Sequence, residues 1–286
     1  MTVVEAPPPL PVRDKTTRER AGVGLSPMLN RLAAEQATGV LVREGGSLHL
    51  AGGRVLHAES RFAAGLGTLL TAHGALTTEE WWTAVGEAGD LAGTARLLLA
   101  GGHLTRAAVQ ICHLQSLYDA AYFALAPGSG PGRFHYGVVY PGAEAEPGGP
   151  LPAVPVADVE REVVRRRSLL HKLWPDALAD SEPLVRTDPI AAPALTPRQA
   201  AVLALVDGVR TAPDIALVRG GRAFPTLVEV RRLVAAGLLT TPPPPPPPPP
   251  AGGPPGPPMA APVAPPADFD PHIALLKRVR DALEAL

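Results

Sequence analysis

Residues 38–60 read TGVLVREGGSLHLAGGRVLHAES, and this stretch decides the fold of the amino-terminal half of the chain. Three short apolar runs, at residues 39–42, 47–50 and 55–58, are separated by the glycine pairs Gly45-Gly46 and Gly52-Gly53. Paired glycines supply the positive φ that two-residue hairpin turns need. The stretch therefore predicts a tight antiparallel meander. A helix is predicted before it, because apolar residues recur there at helical spacing: Leu25, Met28, Leu29, Leu32 and Ala33.

A repeated pattern after the meander predicts helical hairpins. The residues LLTAHGALT at 69–77 are echoed by LLLAGGHLT at 97–105. In each copy a helix is expected to end at a glycine. An apolar residue follows, and then a threonine caps the start of the next helix. This unit is similar to the small helical lobe of secretion and pilus assembly ATPases, but it carries no nucleotide-binding residues. The alternative is that any two helical hairpins with glycine caps look alike.

Four segments of this half together resemble the PATAN family of bacterial regulatory domains. They are the helix LSPMLNRLAAEQ, the hairpin TGVLVREGG, the strand GGRVLHAES and the late aromatic strand GRFHYG. The resemblance implies a PATAN-like antiparallel sheet with helices over about residues 23–140. It also implies regulation rather than catalysis, with protein partners such as a small GTPase system or a response regulator.

Residues 195–241 predict a second small domain. Thr196-Pro197-Arg198-Gln199 is a strong helix start, a second short helix opens at Thr211, and a third is expected over residues 225–236. A short GLLTT strand follows. Three helices of this size before a strand resemble the winged-helix fold of bacterial regulators. The fold class predicted for the whole chain is therefore α+β.

DNA binding by this second domain is the alternative function. Four arginines fall around its third helix, where a recognition helix would meet a DNA groove: Arg219, Arg222, Arg231 and Arg232. Against this, Glu229 lies on the same helix, which offers few side chains suited to reading base edges, and the expected wing has no basic tip. The alternative reading of these arginines is a solvated face.

The remaining segments are predicted to be arms, linkers and isolated helices. With 36 prolines and 29 glycines in 286 residues, substantial disorder is expected. We assign a disordered arm to residues 1–22, a linker to 141–155, a connecting helix to 156–182 and a polyproline linker to 242–268. Residues 269–286 predict an amphipathic helix with one apolar stripe for a protein partner: Ile273, Leu276, Val279 and Leu283. The alternative is a tail that folds back or self-associates.

Charge and composition exclude several classes of protein. The formal net charge is −1, so no whole-chain field attracts nucleic acid or an anionic membrane. Neither a signal-peptide pattern nor a long apolar run is visible in the sequence, which predicts a cytoplasmic protein without a membrane partner. Cys112 is the single cysteine, so the chain has no internal disulfide framework.

The search for catalytic motifs finds no Walker A, HExxH, GxSxG or CxxC pattern, which predicts a non-enzymatic protein with no cofactor. His49, His57 and His135 could share the predicted sheet, but no carboxylate or cysteine stands at ligand spacing, so no metal site is predicted. Trp81 and Trp82 are adjacent on a predicted helix. Only one of them can be fully buried. For the other, core packing or partial cover by the next helix is favoured over a role as a partner anchor. The sequence thus favours a regulatory or adaptor protein.

Overall fold

The structure is a computed structural model that describes residues 26–72, 74–128, 130, 132–138, 140, 149–188 and 194–242. The predicted arm at residues 1–22 and the helix at 269–286 with its apolar stripe lie outside the described residues. So does the predicted polyproline linker, apart from Pro242. Of the predicted linker at 141–155, only residues 149–155 are described.

Helices and antiparallel strands make up the described residues, so the predicted α+β class is confirmed. In chain order the elements are α1 (Pro27–Ala34), β1 (Gly39–Arg43), β2 (Gly46–Ala51), β3 (Arg54–Glu59), α2 (Leu66–Ala72), α3 (Thr78–Ala88), α4 (Leu91–Ala100), α5 (Arg106–Ala124), β4 (Arg133–Tyr136), β5 (Val154–Pro155), α6 (Val156–Leu173), a 3₁₀ helix (Ala177–Asp180), β6 (Val185–Arg186), α7 (Pro197–Leu203), α8 (Ala212–Val218), α9 (Ala223–Ala235) and β7 (Leu239–Thr240).

The predicted meander is the centre of a sheet with strand order β4-β1-β2-β3-β5. Gly52 and Gly53 turn the chain between β2 and β3 with φ of 52° and 72°, as a type I′ turn requires. The first turn lies one residue earlier than predicted, because Gly46 already belongs to β2. The late aromatic strand β4 pairs antiparallel with β1, as expected from GRFHYG.

The linker assignment needs a correction at its end. Val154 and Pro155, placed in the linker by composition, form β5 and pair antiparallel with Val55 and Arg54 at the edge of the sheet. Val154 is buried in the core beneath the sheet, and this burial explains why the segment is ordered against β3.

The repeated helical pattern folds as predicted. Gly74 and Gly102 have φ of 68° and 71°, the left-handed conformation expected where each helix ends. Thr77 caps α3 and Thr105 caps α5, and Thr77 forms a complete capping box with Glu80. The two hairpins enclose a small core of their own, formed mainly by leucines together with Trp81.

Helix α6 joins the two larger cores. Val156, Val159 and Val163 pack under the sheet with α5, whereas Leu170 packs among α7, α8 and α9. Within the segment assigned to the connecting helix, the α-helix ends at Leu173, because Pro175 prevents its continuation. As a result, the described residues up to Pro242 form one compact unit.

The three helices predicted after residue 195 are present as α7, α8 and α9, and the predicted strand is β7. Strand β7 pairs with β6, a strand that precedes α7 in the chain. Among the described residues, no helix has both the length and the apolar character needed to cross a membrane.

Candidate functional site

Arg231, one of the arginines predicted to face DNA, lies in the interior. Its Nε and Nη2 donate to the two carboxylate oxygens of Asp180 at 2.8 and 2.7 Å, and Nη1 donates to the backbone carbonyl of Trp174. Tyr122 donates its hydroxyl to the same carboxylate at 2.9 Å. This is a correction to the sequence prediction: Arg231 is only 3% exposed and connects α9 to the 3₁₀ helix, so its guanidinium is not available to a phosphate.

The amino end of α9 is covered by the first half of the chain. Asp119 on α5 accepts hydrogen bonds from the backbone N–H groups of Ala223 and Phe224, at 2.8 and 3.4 Å, and from Nη1 of Arg166 at 2.6 Å. A recognition helix contacts bases with its amino-terminal residues. In this arrangement Ala223 and Phe224 face α5, so these two residues are not available to a DNA groove.

The other three predicted arginines remain at the surface. Two of them lie beside a further arginine, Arg198, that was not among the predicted site residues. Arg219 and Arg222 line an open cavity of about 370 Å³ together with Arg198, Gly220, Pro225, Thr226 and Glu229. We call this the arginine cavity. Arg232 does not line the arginine cavity, but Nη1 of Arg232 donates to Oε1 of Glu229 at 3.0 Å.

Local structure holds the arginines of this cavity in place. Arg198 lies in the first turn of α7, whose start is held by the capping box of Thr196 and Gln199. Arg219 and Arg222 flank a turn in which Gly220 and Gly221 have φ of 94° and 106°. A Cβ on Gly220 would lie 2.8 Å from Ala72, so only glycine allows this turn to approach α2 so closely.

A second cluster of titratable groups lies on the sheet. Val40 is paired with both His135 and His49, and His49 is paired with His57, so these side chains share one face of the sheet. Val40 therefore separates His135 from the other two. The rings of His49 and His57 are 5.8 Å apart, and that of Tyr140 lies 4.7 Å from each.

His113 on α5 completes this group, which we call the histidine cluster: His49, His57, His113, Glu59 and Tyr140. Its ring stacks on His57 with 6.5 Å between centroids. No three His, Cys, Asp or Glu side chains in the described part of the chain are arranged to hold a metal ion.

The environment of the histidine cluster shifts several pKa values. Burial, with a smaller contribution from His57, lowers the pKa of His113 to about 4. A hydrogen bond from His57, 3.3 Å away, lowers the pKa of Glu59. Burial raises the pKa of the Tyr140 hydroxyl to about 12. Such shifts often mark functional sites, although packing alone also produces them.

A cavity of about 320 Å³ adjoins this cluster, and two serines are among its lining residues. Ser60 donates to the carbonyl of Gly45 at 2.7 Å, and Ser116 donates to that of Ala64 at 2.9 Å. Since each hydroxyl proton is directed at a backbone carbonyl, neither serine forms the hydroxyl–imidazole pair of an activated nucleophile.

Two tryptophans lie at the edge of the same cavity. Trp81 is 8% exposed and packs on Gly67, whereas Trp82 is 64% exposed, which confirms the prediction that only one of the pair is buried. Trp82 also lines an apolar cleft of about 330 Å³ with Val85, Leu91, Thr94 and Tyr140. We call Trp82 and this cleft the tryptophan surface.

Sequence reasoning missed Arg198 and His113 as members of these sites. Arg198 is far in sequence from Arg222, and His113 lies on α5 rather than on the sheet, so only tertiary packing brings them to their partners. No protein-family model matches the chain, and no curated protein or solved structure shows significant similarity to it.

Proposed function

We propose that this protein is a non-enzymatic regulatory or adaptor protein that acts by binding other proteins. On this proposal the sheet and its helices form a PATAN-like domain, and α7 to α9 with β7 form a winged-helix-like domain used for interaction. The partners belong to a small GTPase or response-regulator system in the cytoplasm.

The observation that carries the proposal is the exposure of Trp82. A large aromatic side chain that is 64% exposed leaves much apolar surface in water, and tryptophan is enriched among the residues that dominate binding energy at protein interfaces. Glu79, Thr83, Gly86 and Glu87 lie on the same exposed side of α3. The apolar cleft beside Trp82 provides the centre of an interface, and the two glutamates provide a polar rim.

The DNA-binding alternative receives less support from the contacts of α9. Asp119 occupies the backbone donors at the amino end of that helix, and Arg231 is committed to Asp180. Neither these backbone N–H groups nor the guanidinium of Arg231 is therefore available to contact a DNA phosphate.

The experiment compares capture of partner proteins by three versions of the full-length chain. Wild type, Trp82→Ala and Val209→Ala are used as bait in a lysate of the producing cells, and retained proteins are identified by mass spectrometry. Val209 is the matched control, because it is 76% exposed and lies outside the tryptophan surface. We expect one partner to be retained by wild type and Val209→Ala and lost with Trp82→Ala, and the purified partner to bind with the same pattern. Equal retention by all three baits would contradict the proposal.

A further inference from the structure

The arginine cavity carries an excess of positive charge. Glu229 is the acidic residue of its lining, and Arg232 already pairs with Oε1 of that carboxylate at 3.0 Å. Among the described residues, none forms an ion pair with the guanidinium of Arg198, Arg219 or Arg222. Three arginines therefore line one concave surface with a single carboxylate, Glu229, among them, and this net positive charge favours an anionic ligand.

The geometry of the guanidinium group favours a phosphate as the anion bound in the arginine cavity. Guanidinium groups present planar pairs of N–H donors that match phosphate oxygens, and arginine is the preferred residue for such bidentate contacts. The amino end of α9 adds nothing to this site, because Asp119 already accepts from the N–H groups of Ala223 and Phe224 and Pro225 has none to donate. The arginine side chains would therefore supply the contacts to the anion.

Glu229 indicates a second requirement on the ligand. The residue is 8% exposed, and its Oε2 is buried without a hydrogen-bond partner among the described residues. A buried carboxylate oxygen without a donor is costly. Oε2 is shielded from solvent in the unliganded protein, so a ligand hydroxyl or amino group would remove that cost once the Glu229 side chain turns toward the cavity. A DNA backbone, which lacks hydroxyl and amino groups, offers no such donor.

We propose that the arginine cavity binds a phosphate monoester that also carries hydrogen-bond donors, which is the chemistry of a ribonucleotide. The phosphate lies against Arg198, Arg219 and Arg222, and a hydroxyl or amino group of the same molecule donates to Oε2 of Glu229. The volume of about 370 Å³ falls in the range of small-molecule sites. This site is independent of the tryptophan surface, so its failure would leave the proposed adaptor function untouched.

The test is calorimetric titration of the full-length protein with AMP, inorganic phosphate and adenosine. We expect saturable binding of AMP, weaker binding of inorganic phosphate and none of adenosine at the same concentration. Arg219→Ala and Arg222→Ala should each weaken AMP binding by about tenfold or more, since each removes charge-assisted hydrogen bonds. Arg186→Ala is the control, because Arg186 is exposed on β6 outside the cavity lining. Thermal melts of each variant verify that it is folded.

Glu229→Gln tests the donor requirement separately. This isosteric change removes the negative charge, so AMP should lose part of its advantage over inorganic phosphate, whose own binding should stay equal or become tighter. Absence of AMP binding to the wild type, or equal binding by Arg219→Ala and Arg222→Ala, would overturn the proposal. So would binding of a short DNA duplex that depends on these arginines while AMP fails to bind, since that pattern belongs to a DNA interface.

Discussion

Asp119 on α5 and Arg166 on α6 form a buried ion pair, with 2.6 Å between Oδ1 and Nη1, and the other oxygen of Asp119 caps the amino end of α9. The carboxylate of Asp119 thus links three helices, α5, α6 and α9. Arg166 also stacks its guanidinium 4.6 Å from the ring centre of Phe224 on α9. These contacts make the position of α9 depend on a residue about a hundred positions earlier.

Replacing Asp119 by alanine should strongly destabilise the protein. The change removes one of the two carboxylates that contact the buried guanidinium of Arg166, which keeps Glu162 at 2.8 Å, and it leaves two backbone N–H groups without an acceptor. We expect a loss of about 3 kcal/mol in the free energy of unfolding. Asp158→Ala is the matched control, because Asp158 pairs with Arg161 at the surface of α6 and such pairs contribute about 1 kcal/mol or less. Urea unfolding followed by circular dichroism gives both values. Similar losses in the two variants would show that Asp119 does not join these helices.

Arg231 and Arg232 are neighbours in sequence but should differ sharply in their effect on stability. Arg231→Ala leaves the Asp180 carboxylate buried without its cation, so we expect a loss of about 3 kcal/mol or more. Arg232 is half exposed, and Arg232→Ala should cost about 1 kcal/mol or less. Chemical denaturation of both variants measures the difference. A stable Arg231→Ala variant would restore this arginine as a candidate surface residue.

Gly67 and Gly86 both lie in helices but should respond oppositely to alanine. A Cβ on Gly67 would lie 2.3 Å from Cε2 of Trp81, so Gly67→Ala should destabilise the helical hairpins by about 1–3 kcal/mol. A Cβ on Gly86 would meet nothing within 4 Å, so Gly86→Ala should stabilise α3 by about 0.5–1 kcal/mol through helix propensity. Differential scanning calorimetry would detect the opposite shifts in melting temperature. A shift of the same sign in both would contradict the packing of Trp81 on α2.

His113 should make stability fall as the solution is acidified. Its folded-state pKa of about 4 lies below the ordinary value of 6.5, so between these two pH values the unfolded chain binds the proton and the folded protein does not. The free energy of unfolding should therefore decrease as pH falls through this window, by about 2 kcal/mol between pH 7 and pH 5. Below about pH 4 the folded imidazole also becomes protonated, and this contribution to the slope ends.

The measurement for His113 is urea unfolding at several pH values in wild type, His113→Leu and His135→Asn. The leucine variant should lose most of the pH dependence. The control should keep it, because His135 is exposed on β4 and separated from the histidine cluster by Val40. If the free energy of unfolding of His113→Leu depended on pH as it does in wild type, the pH dependence would belong to other groups.

The sequence by itself determined the local elements of this protein. The turn at Gly52 and Gly53, the capping box of Thr77 and Glu80, and the helix start at Thr196 are set by backbone conformations and hydrogen bonds within a few residues. Such features can be recognised from residue type and spacing. The exposure of one tryptophan of the pair followed in the same way from the helical period of 3.6 residues.

Tertiary structure alone decided which charged residues face water and which face each other. Arg231 and Arg232 are the same residue type at adjacent positions, yet one is buried against Asp180 and the other lies at the surface. Arg198 reaches the arginine cavity, and His113 reaches the histidine cluster, only when distant segments pack together. Residue spacing within a helix predicts that one face is buried, but the partner of a buried charge is supplied by a distant part of the chain, which that spacing does not identify.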